Sequence, residues 1–409
     1  MRKNIITGVS LVALSAGMAQ AGGFELQTLD TSMMYADGNQ ASISYASIDA
    51  SVQGENPNSA TSSKKDVVKD QTVTNITAKF DVGESLSFGL GTYRSGSIQL
   101  SGGNEPPNPT ATPADPGGNL APTADVDLNT TAILGRYQLN ENLSFIGGVT
   151  QNNIGDGNVT TLAGSYGISG TSSMGYVGGV AYSIPDIALR AELTYQPKTD
   201  FTTNASFTPS AYGVGGVMTK AAAHQTAVNN GGAAADYPLA ALSGLNATQM
   251  AAYLAETTNK TTLSLPETVA LNFQTGIAEN TLLTASYRKA SWSKSQINVA
   301  AKIAIGTEFE DSEAYSVGIA RRFSDKLSAS LTYSKEEGSS KPATSLFTVS
   351  NGSEAVSLGL RYTHENMNIS AGISQRNVGD VTVNDPNAGT MKYTGNTVTS
   401  MGVKIAFAF

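Results

Sequence analysis

Beyond residue 21 the chain never strings together 18 apolar residues, yet segment after segment places an apolar side chain at every second position. The last segment reads Met401, Val403, Ile405, Phe407 and Phe409 at odd positions, against Ser400, Gly402, Lys404, Ala406 and Ala408 at even ones. A strand sends alternate side chains to opposite faces, so this one has a continuous apolar face behind a face that holds a cation. Lipid on one side and water on the other would select that arrangement, and strands cross a bilayer only as a closed sheet. The pattern recurs at Val269, Leu271 and Phe273; at Ala329, Leu331 and Tyr333; at Val356, Leu358, Leu360 and Tyr362; and at Met367, Ile369, Ala371 and Ile373.

The connections fall into two classes. Short polar turns sit at Gly83-Glu84, Asn140-Glu141-Asn142, Pro185-Asp186, Ala278-Glu279-Asn280, Ser324-Asp325-Lys326 and His364-Glu365-Asn366. Longer links lie near 54–70, 101–124, 154–170, 205–260, 301–310, 338–344 and 382–391. Seven long links alternating with six short turns predict an all-β fold, a 14-stranded antiparallel transmembrane β-barrel with both termini on the short-turn, periplasmic side. A secreted β-sandwich also has alternating strands. The regular long-short alternation, the terminal Phe409, and a charged fraction of 14% against the roughly 25% usual in soluble domains favour the barrel.

Residues 1–21 read as a secretory leader: Arg2 and Lys3, an apolar stretch Ile5 to Leu14, and Ala19-Gln20-Ala21 as the cleavage signal. A net charge of −8 argues against a nucleic-acid partner, and the absence of Cys excludes a disulfide scaffold and thiol chemistry. The two His residues, His224 in the longest loop and His364 in a short turn, have no Ser and carboxylate spaced to make a triad. With no phosphate loop and no metal-ligand spacing, neither an enzyme nor a cofactor is expected.

With the strands placed, several segments resemble the FadL-type outer-membrane transporters of long-chain fatty acids and other hydrophobic compounds. They are Ala21-Gly22-Gly23-Phe24-Glu25-Leu26 at the mature start, RYQLNENLSFIGGV (Arg136 to Val149), LSLPETVALNF (Leu263 to Phe273), and Ser291-Trp292-Ser293 with the single Trp. The resemblance implies a monomeric barrel in the outer membrane of a Gram-negative bacterium, beside lipid and lipopolysaccharide, with an N-terminal hatch in the lumen. It also implies a kink in the third strand that opens a gap to the membrane, and passive uptake by capture at extracellular loops and lateral release. On that basis residues 22–38 form a short hatch and 39–409 the barrel. The sequence departs from the family in the brevity of the hatch, in having Asn39-Gln40-Ala41 where Asn-Pro-Ala is usual, and in making the fourth loop the longest.

Ligand-binding candidates follow from both lines of reasoning. In the third strand Gly96 lies where the resemblance puts the kink, and Arg94 either guides a carboxylate there or is a solvated interfacial charge. The hatch supplies Phe24, Leu26, Leu29, Met33 and Met34, a soft apolar set. In the fourth loop Asn246 is placed to cap a short helix whose Met250, Tyr253 and Leu254 make one stripe, either a capture groove or packing on the barrel rim. Strand parity puts Arg288, Trp292 and Lys294 together in the lumen, the two cations free for a head group or paired with acids such as Glu192. A general porin for small polar solutes and an adhesive barrel are the alternative readings.

Overall fold

The computed structural model describes residues 24–59, 62–102, 120–300, 305–386 and 388–409. The leader, its cleavage after Ala21, and most of the proline-rich loop 101–124 lie outside the described residues.

Fourteen wall strands follow one another in chain order: β1 (Gln40–Ser51), β2 (Gln71–Val82), β3 (Leu86–Ser101), β4 (Thr123–Gln138), β5 (Leu143–Ile154), β6 (Thr171–Ile184), β7 in two pieces (Leu189–Gln196 and Thr199–Pro209), β8 in two pieces (Glu256–Leu265 and Thr268–Ala278), β9 (Thr281–Ala290), β10 (Ser312–Arg322), β11 (Leu327–Glu336), β12 (Ser353–His364), β13 (Met367–Val378) and β14 (Asn396–Ala408). The sheet closes because β1 pairs on one edge with β14, Gln40 opposite Ala408, and on the other with β2, Gln40 opposite Lys79. Short and long connections alternate as the sequence requires. At one short turn the Asn140 carboxamide oxygen accepts from the backbone N–H of Asn142 at 2.9 Å and of Leu143 at 2.8 Å, which fixes the reversal. At two others, Asn280 and Glu365 adopt left-handed φ angles of 56° and 51°.

Both faces of the wall are as the alternation demands. Leu358, Leu360, Val317, Met401 and Val403 are exposed on the outside, where lipid lies, while Ser330, Ser374 and Ser400 are buried on the inside. Small hydroxyls line much of the lumen and satisfy one another, as in Ser286 with Ser316 at 2.7 Å and Ser357 donating to Ser374 at 2.9 Å.

The main buried core is at the long-loop end, where upper strands, long loops and the start of the hatch meet. The last loop folds as a hairpin, Val381–Asp385 and Gly389–Tyr393, that pairs with Gln53–Glu55, itself paired with Lys65–Asp66. The fourth loop holds two helices, α1 (Ala211–Asn229) and α2 (Ala247–Leu254). Asn246 caps α2 in a reciprocal pair with Gln249, and Met250 and Leu254 are buried against Val214 and Val217 of α1. The strands flanking this loop extend to Pro209 and resume at Glu256, so the connection is shorter than the 205–260 read from the sequence.

Candidate ligand path through the barrel

The third strand is two different strands end to end. From Leu86 to Thr92 it pairs with β2, the last pair being Ile76 with Thr92, and it alternates Phe88 and Leu90 outward with Ser87 and Gly89 inward. Opposite β4 the register then slips between Arg94 and Gly96, which leaves Ser95 as an extra residue and makes a bulge. Beyond it Ser95, Gly96, Ser97 and Ile98 are all buried in succession. A wall strand cannot bury both faces, so this half has turned into the barrel and left Gln71–Asn75 of β2 without a partner on that side.

The hatch takes up the freed edge. The Leu26 N–H donates to the Ser95 carbonyl at 3.0 Å and the Ser97 N–H to the Phe24 carbonyl at 2.9 Å. Nearer the rim, Lys69 N–H reaches Gln99 O at 3.0 Å and Ser101 N–H reaches Val67 O at 2.8 Å. Glycine makes the contact possible: a Cβ at Gly96 would stand 2.8 Å from a ring carbon of Phe24, and one at Gly89 would stand 2.4 Å from the Met34 sulfur.

From there the hatch crosses the lumen, tied at each step. Glu25 accepts from Arg288 Nη2 at 2.5 Å. Thr31 donates to Glu192 at 2.5 Å, and Met33 and Met34 pack on Leu134, Ile146 and Val177. The Tyr35 ring lies between two guanidinium groups, 4.7 Å from Arg136 and 4.1 Å from Arg190. Lys79 Nζ donates to the carbonyls of Ala36 at 2.6 Å and Gly38 at 3.1 Å. Loss of water raises the Glu25 carboxyl above its ordinary range despite Arg288, and raises the Tyr35 phenol as well.

Two chambers meet at the hatch strand. Phe24 faces an apolar one of about 20 Å³, lined by residues such as Ile98, Leu128, Tyr166, Leu263 and Phe347, none of them charged. A cavity of this size has room for a single water. Phe24 forms one wall of it, its ring centroid 4.9 Å from that of Trp292 and 6.1 Å from that of Phe309. Glu25 faces the other chamber, a polar one of about 150 Å³ that Asn152, Thr194, Gln196, Asn272 and Arg288 line from the strands.

The family model for outer membrane protein transport proteins of the OMPP1/FadL/TodX type matches residues 16–409. The chain belongs to that OMPP1/FadL/TodX family. It is therefore an outer-membrane β-barrel of a family of transport proteins for hydrophobic compounds. No curated protein matches it. Among solved structures, a Pseudomonas aeruginosa FadL homologue superposes with a TM-score of 0.67 at 13% identity, over 97% of this chain and 98% of that one. The Pseudomonas putida toluene transporter TodX gives 0.59 at 12% over 97% and 99%, and the Ralstonia pickettii toluene transporter TbuX gives 0.59 at 11% over the same shares. At such identities the likeness speaks for the fold.

Within this OMPP1/FadL/TodX barrel the residues singled out in the sequence fall into three groups. Phe24, Leu26, Met33, Met34, Gly96 and Trp292 are buried at or beside the hatch, and Leu29 lies partly buried along it. The charged candidates differ from expectation. Arg94 is ion-paired with Asp127, which also accepts from Ser97 at 3.0 Å, so it is not a free guide for a carboxylate. Arg288 is in the lumen, but its partner is Glu25 rather than Glu192. Trp292 and Lys294 do not share a strand face with it, because β9 ends at Ala290 and residues 292–294 form a tight helical turn. Asp311 fixes this turn by accepting from Ser293 N at 3.0 Å and Oγ at 2.7 Å; burial works against the charge, but these donors win and keep the carboxyl below its ordinary range. Trp292 is thereby turned onto Phe24, while Lys294 is exposed. In the fourth loop Met250 and Leu254 are buried between helices and do not line an open groove, whereas Tyr253 is exposed.

Sequence reading missed Glu25, Tyr35's two arginines, Asp127, Phe309 and Phe347. Each acts through a partner far along the chain, 263 residues for Glu25 with Arg288, so no local pattern marks them. Helix α1 did leave a signal, Ser210 ahead of an Ala-rich run, and Ser210 Oγ accepts from the Gly213 N–H at 3.1 Å. His224 accepts from Leu239 N–H at 3.4 Å beside Tyr237, and His364 is at a short turn between strands. Among the described residues no group of three or more His, Cys, Asp or Glu is placed to hold a metal.

Proposed function

We propose that this protein takes up long-chain fatty acids or similar hydrophobic molecules passively, holding them first in the apolar chamber and releasing them sideways where β3 leaves β2. The observation that carries this reading is the position of Phe24. One side chain lines the apolar chamber, packs at a tilt on Trp292 and lies against Gly96 at the bulge. A ligand entering the chamber must displace that ring, and the hatch strand bonded to Ser95 and Ser97 moves with it. Occupancy outside and opening at the β3 edge are thus linked through one residue.

Affinity comes from burying the chain, at about 0.8 kcal/mol per methylene. No cation lines the apolar chamber, and Arg94 and Arg288 already have carboxylate partners. The head group therefore adds little, and uncharged hydrocarbons, the class carried by the two toluene transporters of like fold, suit the same chamber. The porin reading fits less well, because the hatch is tied across the lumen from Ser95 to Lys79.

The test is equilibrium binding of a labelled long-chain fatty acid to the purified barrel, beside an alcohol of equal length. Saturable binding of both with only a few-fold preference is expected. A strong preference for the acid would assign it a free cation and overturn the uncharged-head-group reading. No saturable binding of either, together with steady ion conductance, would establish the porin.

A further inference from the structure

The wall is interrupted a second time, on the far side of the polar chamber. The ladder between β6 and β7 begins at the periplasmic end, Ile184 with Leu189, and stops at Gly178 with Tyr195. Above it, residues 171–177 of β6 are paired only with β5. Two of their side chains hydrogen-bond to β7, Ser173 Oγ donating to Asp200 O at 2.7 Å and Thr171 Oγ1 to Thr202 O at 3.3 Å, and Gly175 lies close to Thr199, where an added Cβ would stand 2.7 Å from the hydroxyl.

At the same level β7 and β8 both break. The pairs Gln196 with Thr268 and Thr199 with Leu265 bracket Pro197-Lys198 on one strand and Pro266-Glu267 on the other. Each proline lacks the N–H that a ladder needs. Side-chain sense also changes across the break: Glu192 and Thr194 are buried below it, Thr199, Phe201 and Thr203 above it. The exposed set changes with it, from Leu193 and Tyr195 to Asp200, Thr202 and Asn204, so the outer edge of the membrane crosses here. The polar chamber reaches this place: Pro197 and Pro266 line it, and so does Tyr176, which is 62% exposed and belongs to the lipid-facing set of β6.

We infer that the seam between β6 and the upper part of β7 is a second lateral portal, through which the polar chamber takes neutral amphiphiles from the outer edge of the membrane. The chamber's chemistry sets the class. Carboxamides of Asn152, Gln196 and Asn272 and hydroxyls of Thr150, Thr194 and Thr199 can donate and accept, while the one arginine is held by Glu25. An uncharged hydroxyl or amide head fits that surface, with its alkyl chain left in the lipid beside Tyr176. The inference rests on the lateral-exchange reading above but uses a different opening.

The chain has no cysteine, so a single thiol reports on access. Gln196→Cys is placed in lipid nanodiscs and exposed to N-hexadecylmaleimide dissolved in the bilayer, with a water-soluble maleimide for comparison. Labelling by the bilayer reagent is expected. A second substitution, Gly178→Trp, sets a ring at the mouth of the seam, where an added Cβ meets nothing within 4 Å. It should slow bilayer labelling about tenfold while the water-soluble rate stays within twofold. Ser173→Ala, which removes one tie, should speed it several-fold. The portal is overturned by a bilayer rate indifferent to Gly178→Trp, which would mean entry at the β2–β3 gap, or by labelling from water alone. Fatty-acid binding measured on the same Gln196→Cys protein reports separately on the apolar chamber, so either reading can fail without the other.

Discussion

The two sides of this barrel are built to different rules. From β9 round to β1 the strands are joined by unbroken ladders of nine to twelve consecutive pairs, with small hydroxyls inside and large apolar groups outside. From β2 to β8 the wall carries the bulge at Ser95, the seam above Gly178 and the breaks at Pro197 and Pro266. Nearly every tie of the hatch is on this second side. A complete ladder leaves no backbone group free, so it can hold a membrane boundary but offers a plug only side chains, as Arg288 of β9 does for Glu25. An interrupted ladder exposes donors and acceptors that must be satisfied, and the hatch satisfies them at β3.

The largest expected effect on uptake is at Gly96. Gly96→Val pushes a side chain into Phe24 and should unseat the hatch from β3, changing uptake of a labelled hydrophobic probe by about an order of magnitude, roughly 1.4 kcal/mol in barrier terms. Unchanged uptake by a correctly inserted variant would remove β3 from the path. For the seating of the hatch, a different quantity from uptake, Met34→Ala empties a buried site packed on Leu134 and should cost about 2–4 kcal/mol. Hydrogen exchange over residues 24–38 measures that loss, and Leu358→Ala on the regular wall should leave the same protection untouched. If both variants loosened the hatch alike, the two sides would not differ in the way described.

The smallest effect is a slope in pH. The folded pKa of Glu25 is raised, so the seated hatch holds this proton more tightly than the free chain does. Its contribution to seating is therefore full below the ordinary value of 4.5 and declines as pH rises through the raised one. Glu25→Gln should flatten that part of the exchange profile. A slope that survived the substitution would belong to some other group.

Much of the regular wall could be read directly. Met401, Val403 and Phe407 are outward and Ser400 and Ala406 inward, as their positions two apart require. The same reasoning carried Arg288 into the lumen correctly and then carried Trp292 and Lys294 too far, because parity holds only while the strand lasts and β9 stops at Ala290. On β7 the two-residue break shifts inward positions from even to odd, and no count along the chain announces it beyond a single proline.

The sequence by itself determined the number of strands, which faces meet lipid, and the sides on which long and short connections lie. These follow from a two-residue period and from turn chemistry, both of which act between neighbours in the chain. Only the tertiary structure decided that Phe24 lines a chamber, that Arg94 and Arg288 are engaged by Asp127 and Glu25, and that the third strand turns inward against the hatch. Those outcomes depend on side chains brought together across the barrel from distant parts of the chain, and local periodicity carries no information about which of them will meet.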